Sequence, residues 1–394
     1  MRTIGPDHIF NAAHSWRELS VAERIKRLPG VSRDIVLSPE SKYDKNGDLT
    51  GIMFRSEGDG AIAYPGLVPD NGCGFCLALI KGVRHGGIDW NGFAESLILA
   101  AGVYSVDRRN STPDDLFGAM VLGLPNLENH FFFNLAEQAE KSDFYKSLVM
   151  DEAMPILLKQ PFGCFLGHFL EIRKPESGGM FRDDEYILII HAGSQGIHRL
   201  LNNLLHERHH YHSRVYGAPL SNQEGQDRKL SAQMAMNYSR ASRLHSLKII
   251  SERVYDYFGA ETFFLSDIFH SYIQYEDGGI LHCRGVQNAD CPYNDSEFPY
   301  CLLGGTLSTS SYILSPTVAC ASICHGTPEA FYSDPMCERF DSPDTLAWKD
   351  TSPRGDPRLF ESVTRELANW FETQGCMKIC ARLLPVFNMQ LADK

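Results

Sequence analysis

The sequence has no long hydrophobic run, no excess of positive charge and no regular cysteine framework, and each absence excludes a class of protein. No stretch approaches the roughly 20 apolar residues that a membrane-spanning helix needs. The opening residues, MRTIGPDHIFNAAHSW, also lack the apolar core of a signal peptide. Lysine and arginine total 37 against 49 aspartates and glutamates, a net charge of −12. This acidic balance opposes indiscriminate nucleic-acid binding, so any RNA contact is expected at a local basic patch.

The 11 cysteines are an odd number without regular spacing, which is typical of reduced thiols. We therefore expect a cytoplasmic protein rather than a secreted disulfide scaffold. Cys73 and Cys76 form C-G-F-C, which is similar to a redox motif. That motif normally opens a helix in a small βαβ unit, so a redox role is disfavoured here.

The 394 residues, 43% of them hydrophobic, suffice to bury a large core. Apolar spacing alternates between helical and strand-like patterns, without an internal repeat. The patterns predict helices over 90–104, 136–159 and 229–258, a helix opening at Gly196, a buried strand over 185–193, and loops over 286–300 and 340–358. We expect an α+β fold, with residues 1–394 forming a single large domain of mixed β-sheets surrounded by helices.

A carboxylate and a thiolate three residues apart, Asp70 and Cys73, stand among glycines in GLVPDNGCGF. Glycines let the backbone approach a ligand closely, so this run is a plausible start to a metal site. Four histidines further along each occur where an apolar run meets a polar or glycine-bearing turn, the usual position of catalytic groups. They are His168, His191, His270 and His325.

The order of these residues resembles the RNA-splicing ligase RtcB family. That family carries D-x-x-C-G, N-H-F-x-E, H-x-G-S-R-G, an H-N pair, G-S-M-G-T-A-S-Y, S-H-G-A-G-R and a C-terminal A-R-L-R-P run. The similarity extends from about residue 50 to the end, with 1–50 as an N-terminal extension. In the same order the chain has DNGCG (70–74), GHFLE (167–171), HAGSQG (191–196), His270-Ser271, GGTLSTSSY (304–312), SICHGTPE (322–329) and ARLLPVFNMQ (381–390).

The resemblance implies an RtcB-like fold and a GTP-dependent RNA ligase with two manganese ions. His325 would attack the α-phosphate of GTP and carry GMP as a phosphoramidate. The enzyme would then join RNA 3′-phosphate or 2′,3′-cyclic phosphate ends to 5′-hydroxyl ends. Its partners would be RNA with broken ends, such as cleaved tRNA, and an archease-like activator. The implied metal ligands are Asp70, Cys73, His168, His191 and His270.

The resemblance also implies a set of nucleotide contacts, in which Glu171 would read the guanine base and the glycine-rich loop would bind phosphate and ribose. An ordinary polar turn before a strand is the alternative for 304–312. The implied nucleotide-binding residues are Gly167, Phe169, Leu170, Glu171, Ser271, Gly304, Gly305, Thr306, Leu307, Ser311, Gly326, Thr327 and Gln390.

Two histidines compete for one ligand position. His130, in ENHFFFNL, carries the family's literal N-H-F, whereas His168 has lost that Asn but keeps Glu171 three residues later. His168 also lies 23 residues before His191, which suits two adjacent strands, whereas His130 lies 61 residues before it. We therefore favour His168 as the ligand.

Several positions depart from the family pattern and leave other functions open. Two family arginines are replaced, by Gln195 and Glu329, and the guanine-reading Lys is replaced by Gln390. Arg240 and Arg243, in NYSRASR, occupy a position that resembles the family's A-N-R, and a phosphate contact and surface salt bridges are equal alternatives for them. The alternatives to ligation are a degenerate metal- and nucleotide-binding protein without sealing activity, and a metal-dependent cyclic phosphodiesterase.

Overall fold

The computed structural model of the chain describes seven helices and sixteen strands. The described residues are 31–43, 49–57, 61–63, 71–83, 89–106, 113–124, 130–150, 169–177, 179–209, 217–276, 279–289, 291–296, 300–305, 309–317, 322–324, 357–373 and 375–389. The helices are α1 (Trp90–Val106), α2 (Pro113–Leu122), α3 (Ala136–Lys141), α4 (Asp143–Met150), α5 (Gln195–His209), α6 (Gln223–Phe258) and α7 (Pro357–Thr373).

The strands form an eight-stranded sheet, a four-stranded sheet and two small two-stranded sheets. They are β1 (Val31–Tyr43), β2 (Leu49–Glu57), β3 (Ala61–Ala63), β4 (Gly74–Lys81), β5 (Phe169–Pro175), β6 (Tyr186–Ala192), β7 (Gly217–Pro219), β8 (Glu261–Phe269), β9 (Ser271–Glu276), β10 (Gly279–Arg284), β11 (Val286–Asn288), β12 (Asp295–Ser296), β13 (Cys301–Leu303), β14 (Ser311–Pro316), β15 (Ser322–Cys324) and β16 (Met377–Met389).

The large sheet has the order β12-β8-β4-β6-β5-β16-β14-β13, and the four-stranded sheet has the order β1-β2-β10-β9. Every pairing between the described strands is antiparallel. The α+β class is therefore confirmed, but the expectation of mixed sheets is wrong for these strands. The sequence pattern could not reveal this, since a strand buried on both faces is apolar throughout in either orientation.

The centre of the large sheet is buried on both faces, which explains the continuous apolar runs of β4 and β6. Alternate side chains of each strand point to opposite faces. One face, here called the Phe75 face, carries Phe75, Leu77, Leu79, Ile187 and Ile189. The other, the Cys76 face, carries Cys76, Ala78, Ile80, Leu188 and Ile190 and packs against α1 and the second half of α6.

Helix α6 is the longest of the described helices and lies against the central strands of the sheet. It begins where the side chain of Asn222 accepts a hydrogen bond from the amide of Gly225, an N-cap that satisfies an otherwise unpaired donor. It ends at Gly259, whose φ of 63° is the left-handed conformation that glycine adopts without steric cost. Most of its residues between these caps are buried, so both charged and apolar side chains enter the core from α6.

The predicted local structure is largely confirmed. The strand predicted over 185–193 is β6, the helix over 229–258 is part of α6, and α1 extends the helix over 90–104. The predicted helix over 136–159 is divided at Ser142 into α3 and α4, and its end lies outside the described residues.

The predicted loop over 286–300 is partly wrong, because it contains the short strands β11 and β12. The predicted loop over 340–358 lies outside the described residues except for the start of α7. Among the helices described, none combines the length and apolar content required to cross a bilayer.

Candidate metal centre

Three sequence motifs meet at one end of the central strands. Cys73 directly precedes β4, His191 is the second-last residue of β6, and His270 directly follows β8. Strand β4 lies between β6 and β8, and both neighbours run antiparallel to it. The beginning of β4 therefore lies beside the ends of β6 and β8, so Gly74 pairs with both Ala192 and Phe269.

The pairing register also places the three side chains on one face. Phe75 pairs with His191 and with Ile268, and directly paired residues project from the same face of a sheet. By the two-residue alternation, Cys73 and His270 share that side, which is the Phe75 face. The backbone connects the two directly, because the amide of His270 donates to the carbonyl oxygen of Cys73 at 3.0 Å.

The ligand atoms converge on a small volume. Cys73 Sγ lies 3.1 Å from His191 Nε2, which lies 2.9 Å from His270 Nε2. All three ligand atoms are within 4.8 Å of one another. The exposed fractions of Cys73, His191 and His270 are 2%, 7% and 3%, so the cluster is almost entirely shielded from water.

This donor set fits a divalent transition metal. Ligand atoms about 2.0–2.3 Å from a tetrahedral metal lie roughly 3.3–3.6 Å apart. The separations of 2.9 and 3.1 Å are within a few tenths of an ångström of that range. His191 Nε2 carries at most one proton and so cannot donate to both Cys73 Sγ and His270 Nε2. A cation among the three atoms would accept one lone pair from each of them at once.

Two phenylalanine rings form an apolar wall beside the imidazoles. The ring of His191 lies 4.6 Å, between centroids, from both Phe75 and Phe169, and His270 lies 5.2 Å from Phe75. The rings restrict the orientations of the imidazoles and lower the local dielectric, which strengthens electrostatic contacts. His270 Nδ1 also lies 3.2 Å from Ser271 Oγ, on the side of the ring away from the cluster. A polar contact of this kind fixes the orientation of a ligating histidine.

The turn before Cys73 requires glycine at position 72. Gly72 has a φ of 89°, its amide donates to the carbonyl of Ser271 at 2.6 Å, and a Cβ there would lie 2.6–2.9 Å from atoms of Ser239, Ala235 and Met236. The close contact with α6 therefore leaves no room for a side chain. It holds the Cys73 turn against the helix.

Gly72→Ala should destabilise the fold by about 3 kcal/mol, because backbone strain and overpacking add. Gly82→Ala is a matched control, since Gly82 has a φ of 84° but a Cβ added there would have no neighbouring atom within 4 Å. We expect this control to cost only about 1 kcal/mol, from backbone strain alone. Urea denaturation measures both values, and equal losses would show that the contact with α6 is unimportant.

A buried ion triad lies behind the cluster, on the Cys76 face. Asp267, which pairs with Cys76, binds Arg243 through both carboxylate oxygens, at 2.6 and 2.7 Å, and binds Arg240 at 2.9 Å. Burial alone would raise the pKa of Asp267, but the two arginines hold it below its ordinary value. Burial likewise opposes the charge of Arg243, yet the carboxylate of Asp267 raises its pKa.

The triad corrects the expectation for the two arginines. Arg240 is 1% exposed and Arg243 is 0% exposed, so neither forms a surface salt bridge or presents its guanidinium to an RNA phosphate. Cys76 is also fully buried, and burial with the nearby charge of Asp267 raises the pKa of its thiol well above the usual value. Cys76 therefore stays protonated and belongs to the core, which agrees with the disfavoured redox role.

Of the five predicted metal ligands, the structure brings Cys73, His191 and His270 together. Asp70 and His168 lie outside the described residues, as does the predicted nucleophile His325. Phe169, the residue after His168, pairs with His191, so the predicted adjacency of these two strands is confirmed. His130 instead contacts the carboxylate of Asp295 through Nδ1.

The structure describes some of the residues predicted to bind the nucleotide. Glu171 is 3% exposed and accepts a hydrogen bond from Arg173 Nε at 2.6 Å, so part of its carboxylate is already engaged. Leu170 is fully buried in the core, which leaves its side chain unavailable to a ligand. Ser271 Oγ accepts from the amide of Gly285 at 3.2 Å. The predicted residues outside the described part of the chain are Gly167, Thr306, Leu307, Gly326, Thr327 and Gln390.

The glycine-rich loop is connected to β5. Arg173 donates to the carbonyl of Thr309 at 2.6 Å, while the amide of Gly305 donates to Ser311 Oγ at 2.8 Å. Gly304 and Gly305 are partly exposed, whereas Ser311 is buried at the start of β14. The described residues of the loop are therefore held by hydrogen bonds, and its binding of phosphate and ribose stays a prediction.

A comparison with models of known protein families gives no match, and neither does a comparison with curated proteins.

Asp267 is the main residue near the site that sequence reasoning missed. It stands in LSDIF, three residues before His270, within the buried part of β8. A carboxylate on a buried strand needs a cationic partner, and this need was a signal for a buried arginine. The sequence alone did not show that α6 would supply two.

Proposed function

We propose that this protein is a metal-dependent RNA ligase or RNA repair enzyme of the RtcB type. The observation that supports the proposal is the convergence of Cys73, His191 and His270, which come from three motifs widely separated in the sequence. The order of the motifs and the retention of His325 supply the rest of the argument. The RtcB-like identity of the fold is part of the same proposal.

In this proposal Cys73, His191 and His270 hold the metal, with Asp70 and His168 as further ligands. Manganese is the metal that the resemblance implies, while a thiolate with two imidazoles is typical of zinc-like ions, and the carboxylate of Asp70 would favour a harder ion. A bound divalent ion would supply positive charge that stabilises the phosphate oxygens during transfer.

His325 would act as the nucleophile towards the α-phosphate of GTP. A P–N bond forms while the bond to the leaving pyrophosphate breaks. An RNA 3′-phosphate then takes the GMP from His325, and a 5′-hydroxyl of the second RNA end displaces GMP as the strand is sealed. Phe75 and Phe169 would exclude water from the imidazole ligands on one side.

The direct test is incubation of the protein with Mn²⁺ and α-labelled GTP or ATP. We expect a protein adduct that is labile in acid and stable in base, as a phosphoramidate is. His325→Ala should abolish the adduct while metal binding persists. An equal adduct in His325→Ala would move the nucleophile elsewhere, and no adduct in the metal-loaded wild type would contradict the ligase proposal.

Two observations favour a second candidate, a metal- and nucleotide-binding relative that does not seal RNA. Arg240 and Arg243 are committed to Asp267 in the core, so they do not replace the basic residues missing at Gln195 and Glu329. Glu171 is paired with Arg173, which competes with a guanine base for its carboxylate. Single-turnover kinetics with RNA carrying 3′-phosphate and 5′-hydroxyl ends separate the candidates, because only a ligase gives the joined strand.

A further inference from the structure

We propose that Arg243 is the positioning residue of the metal centre, holding its three ligand-bearing segments in one arrangement from the opposite face of the sheet. The inference rests on the proposed metal centre. Arg243 is not a ligand, because the guanidinium is cationic and acts only as a hydrogen-bond donor.

The contacts of Arg243 reach all three ligand-bearing segments. Nη1 donates to the carbonyl oxygens of Gly72 and Ala192, both at 2.8 Å, and these residues adjoin Cys73 and His191. Nε and Nη2 donate to the two carboxylate oxygens of Asp267, three residues before His270 on β8. One planar side chain therefore connects the start of β4 and the ends of β6 and β8.

The sheet is shaped to admit this side chain. A Cβ at Gly74 would lie 3.2 Å from the guanidinium carbon of Arg243 and 2.3 Å from the carbonyl oxygen of Ile268. The missing side chain at position 74 thus leaves space for Arg243 directly behind the cluster. The guanidinium fork is rigid, so its donors also fix the relative positions of their acceptors.

Arg240 provides a matched control within the same triad. It comes from the same helix, is equally buried, and also binds Asp267. Its other hydrogen-bond partners, the carbonyls of Phe131 and Tyr293, adjoin none of the three described ligands. Both arginines also lie over the ring of Phe269, so that contact does not distinguish them. Loss of either arginine breaks the buried ion triad, but only loss of Arg243 releases Gly72 and Ala192.

The test compares Co²⁺ binding by the wild type, Arg243→Lys and Arg240→Lys. Both substitutions keep the charge but lose the fork, so a purely electrostatic role would be rescued at either position. We expect Arg243→Lys to weaken Co²⁺ binding about 10- to 100-fold, the usual effect of losing a group that orients metal ligands. Its thiolate-to-Co²⁺ charge-transfer absorption should also shift, whereas Arg240→Lys should retain the wild-type affinity and spectrum.

Urea denaturation of the metal-free proteins controls for general damage, and we expect similar losses of stability in the two variants. Unchanged Co²⁺ affinity in Arg243→Lys, or an equal loss in Arg240→Lys, would overturn the positioning role. If Arg243→Lys does not fold, Arg243→Gln is measured instead. Failure of both Arg243 variants to fold beside a folded Arg240→Lys would assign Arg243 to global stability and overturn the specific role. A wild type that binds no metal would overturn the metal centre itself.

Discussion

Cys73→Ser should lower metal affinity by at least about 100-fold, since removal of outer groups that only orient ligands already costs 10- to 100-fold. Serine is similar in size, but its hydroxyl stays neutral, so the site loses both a soft donor and its negative charge. Nucleotide transfer should be lost with the metal. Equilibrium dialysis followed by elemental analysis measures the affinity and the stoichiometry.

His130→Ala is the control for this prediction, because His130 contacts Asp295 and none of the three clustered ligands. We expect it to bind metal as the wild type does. Full metal stoichiometry and activity in Cys73→Ser would refute a metal site formed jointly by Cys73, His191 and His270. Loss of metal in His130→Ala would reverse the choice of His168 over His130.

Asp267→Asn should destabilise the metal-free protein by about 3–5 kcal/mol, since it leaves Arg240 and Arg243 buried without their counter-charge. Asp256→Asn is the exposed control: Asp256 pairs with Arg253 at 3.3 Å on the surface of α6. That change should alter stability by less than about 1 kcal/mol. Urea denaturation at neutral pH measures both, and similar small effects would show that the triad contributes little.

The effect of Asp267→Asn should also depend on pH in a defined direction. Asp267 has a lower pKa when folded than its ordinary value, so its charge stabilises the fold above the unfolded pKa of about 3.9. That stabilisation is lost as the pH falls through the lowered folded pKa. The stability gap between wild type and Asp267→Asn should therefore stay constant down to about pH 4 and narrow below it. A gap that widens in acid would contradict this assignment.

The sequence predicted the members of the cluster better than their surroundings. His191 and His270 were identifiable because each stands where an apolar run meets a polar or glycine-bearing turn, and Cys73 because it stands with Asp70 among glycines. The role of Arg243 was not identifiable, since its partners are mostly backbone carbonyls that leave no mark in residue type. Asp267 was the one available signal, a carboxylate in a buried strand.

In the fold, too, elements set by local apolar spacing were predictable, whereas those that depend on distant pairing partners were not. Helix α6 and strand β6 were predictable because their apolar spacing persists over many residues. The short strands β11 and β12 were missed because they contain two or three residues in a segment rich in turn formers, and their pairing depends on distant partners in β15 and β8. The relative direction of paired strands could not be predicted from the sequence either, since the alternation of side chains is the same in parallel and antiparallel sheets.

The central claim is that Cys73, His191 and His270 bind one metal site together. X-ray absorption spectroscopy of the protein loaded with one equivalent of Co²⁺ or Mn²⁺ tests it most directly, because it distinguishes sulfur from nitrogen and oxygen ligands. The predicted result is one sulfur scatterer together with the multiple-scattering pattern of at least two imidazoles, with the sulfur absent from Cys73→Ser. A spectrum of the wild type that contains only oxygen and nitrogen scatterers without imidazole would contradict the claim.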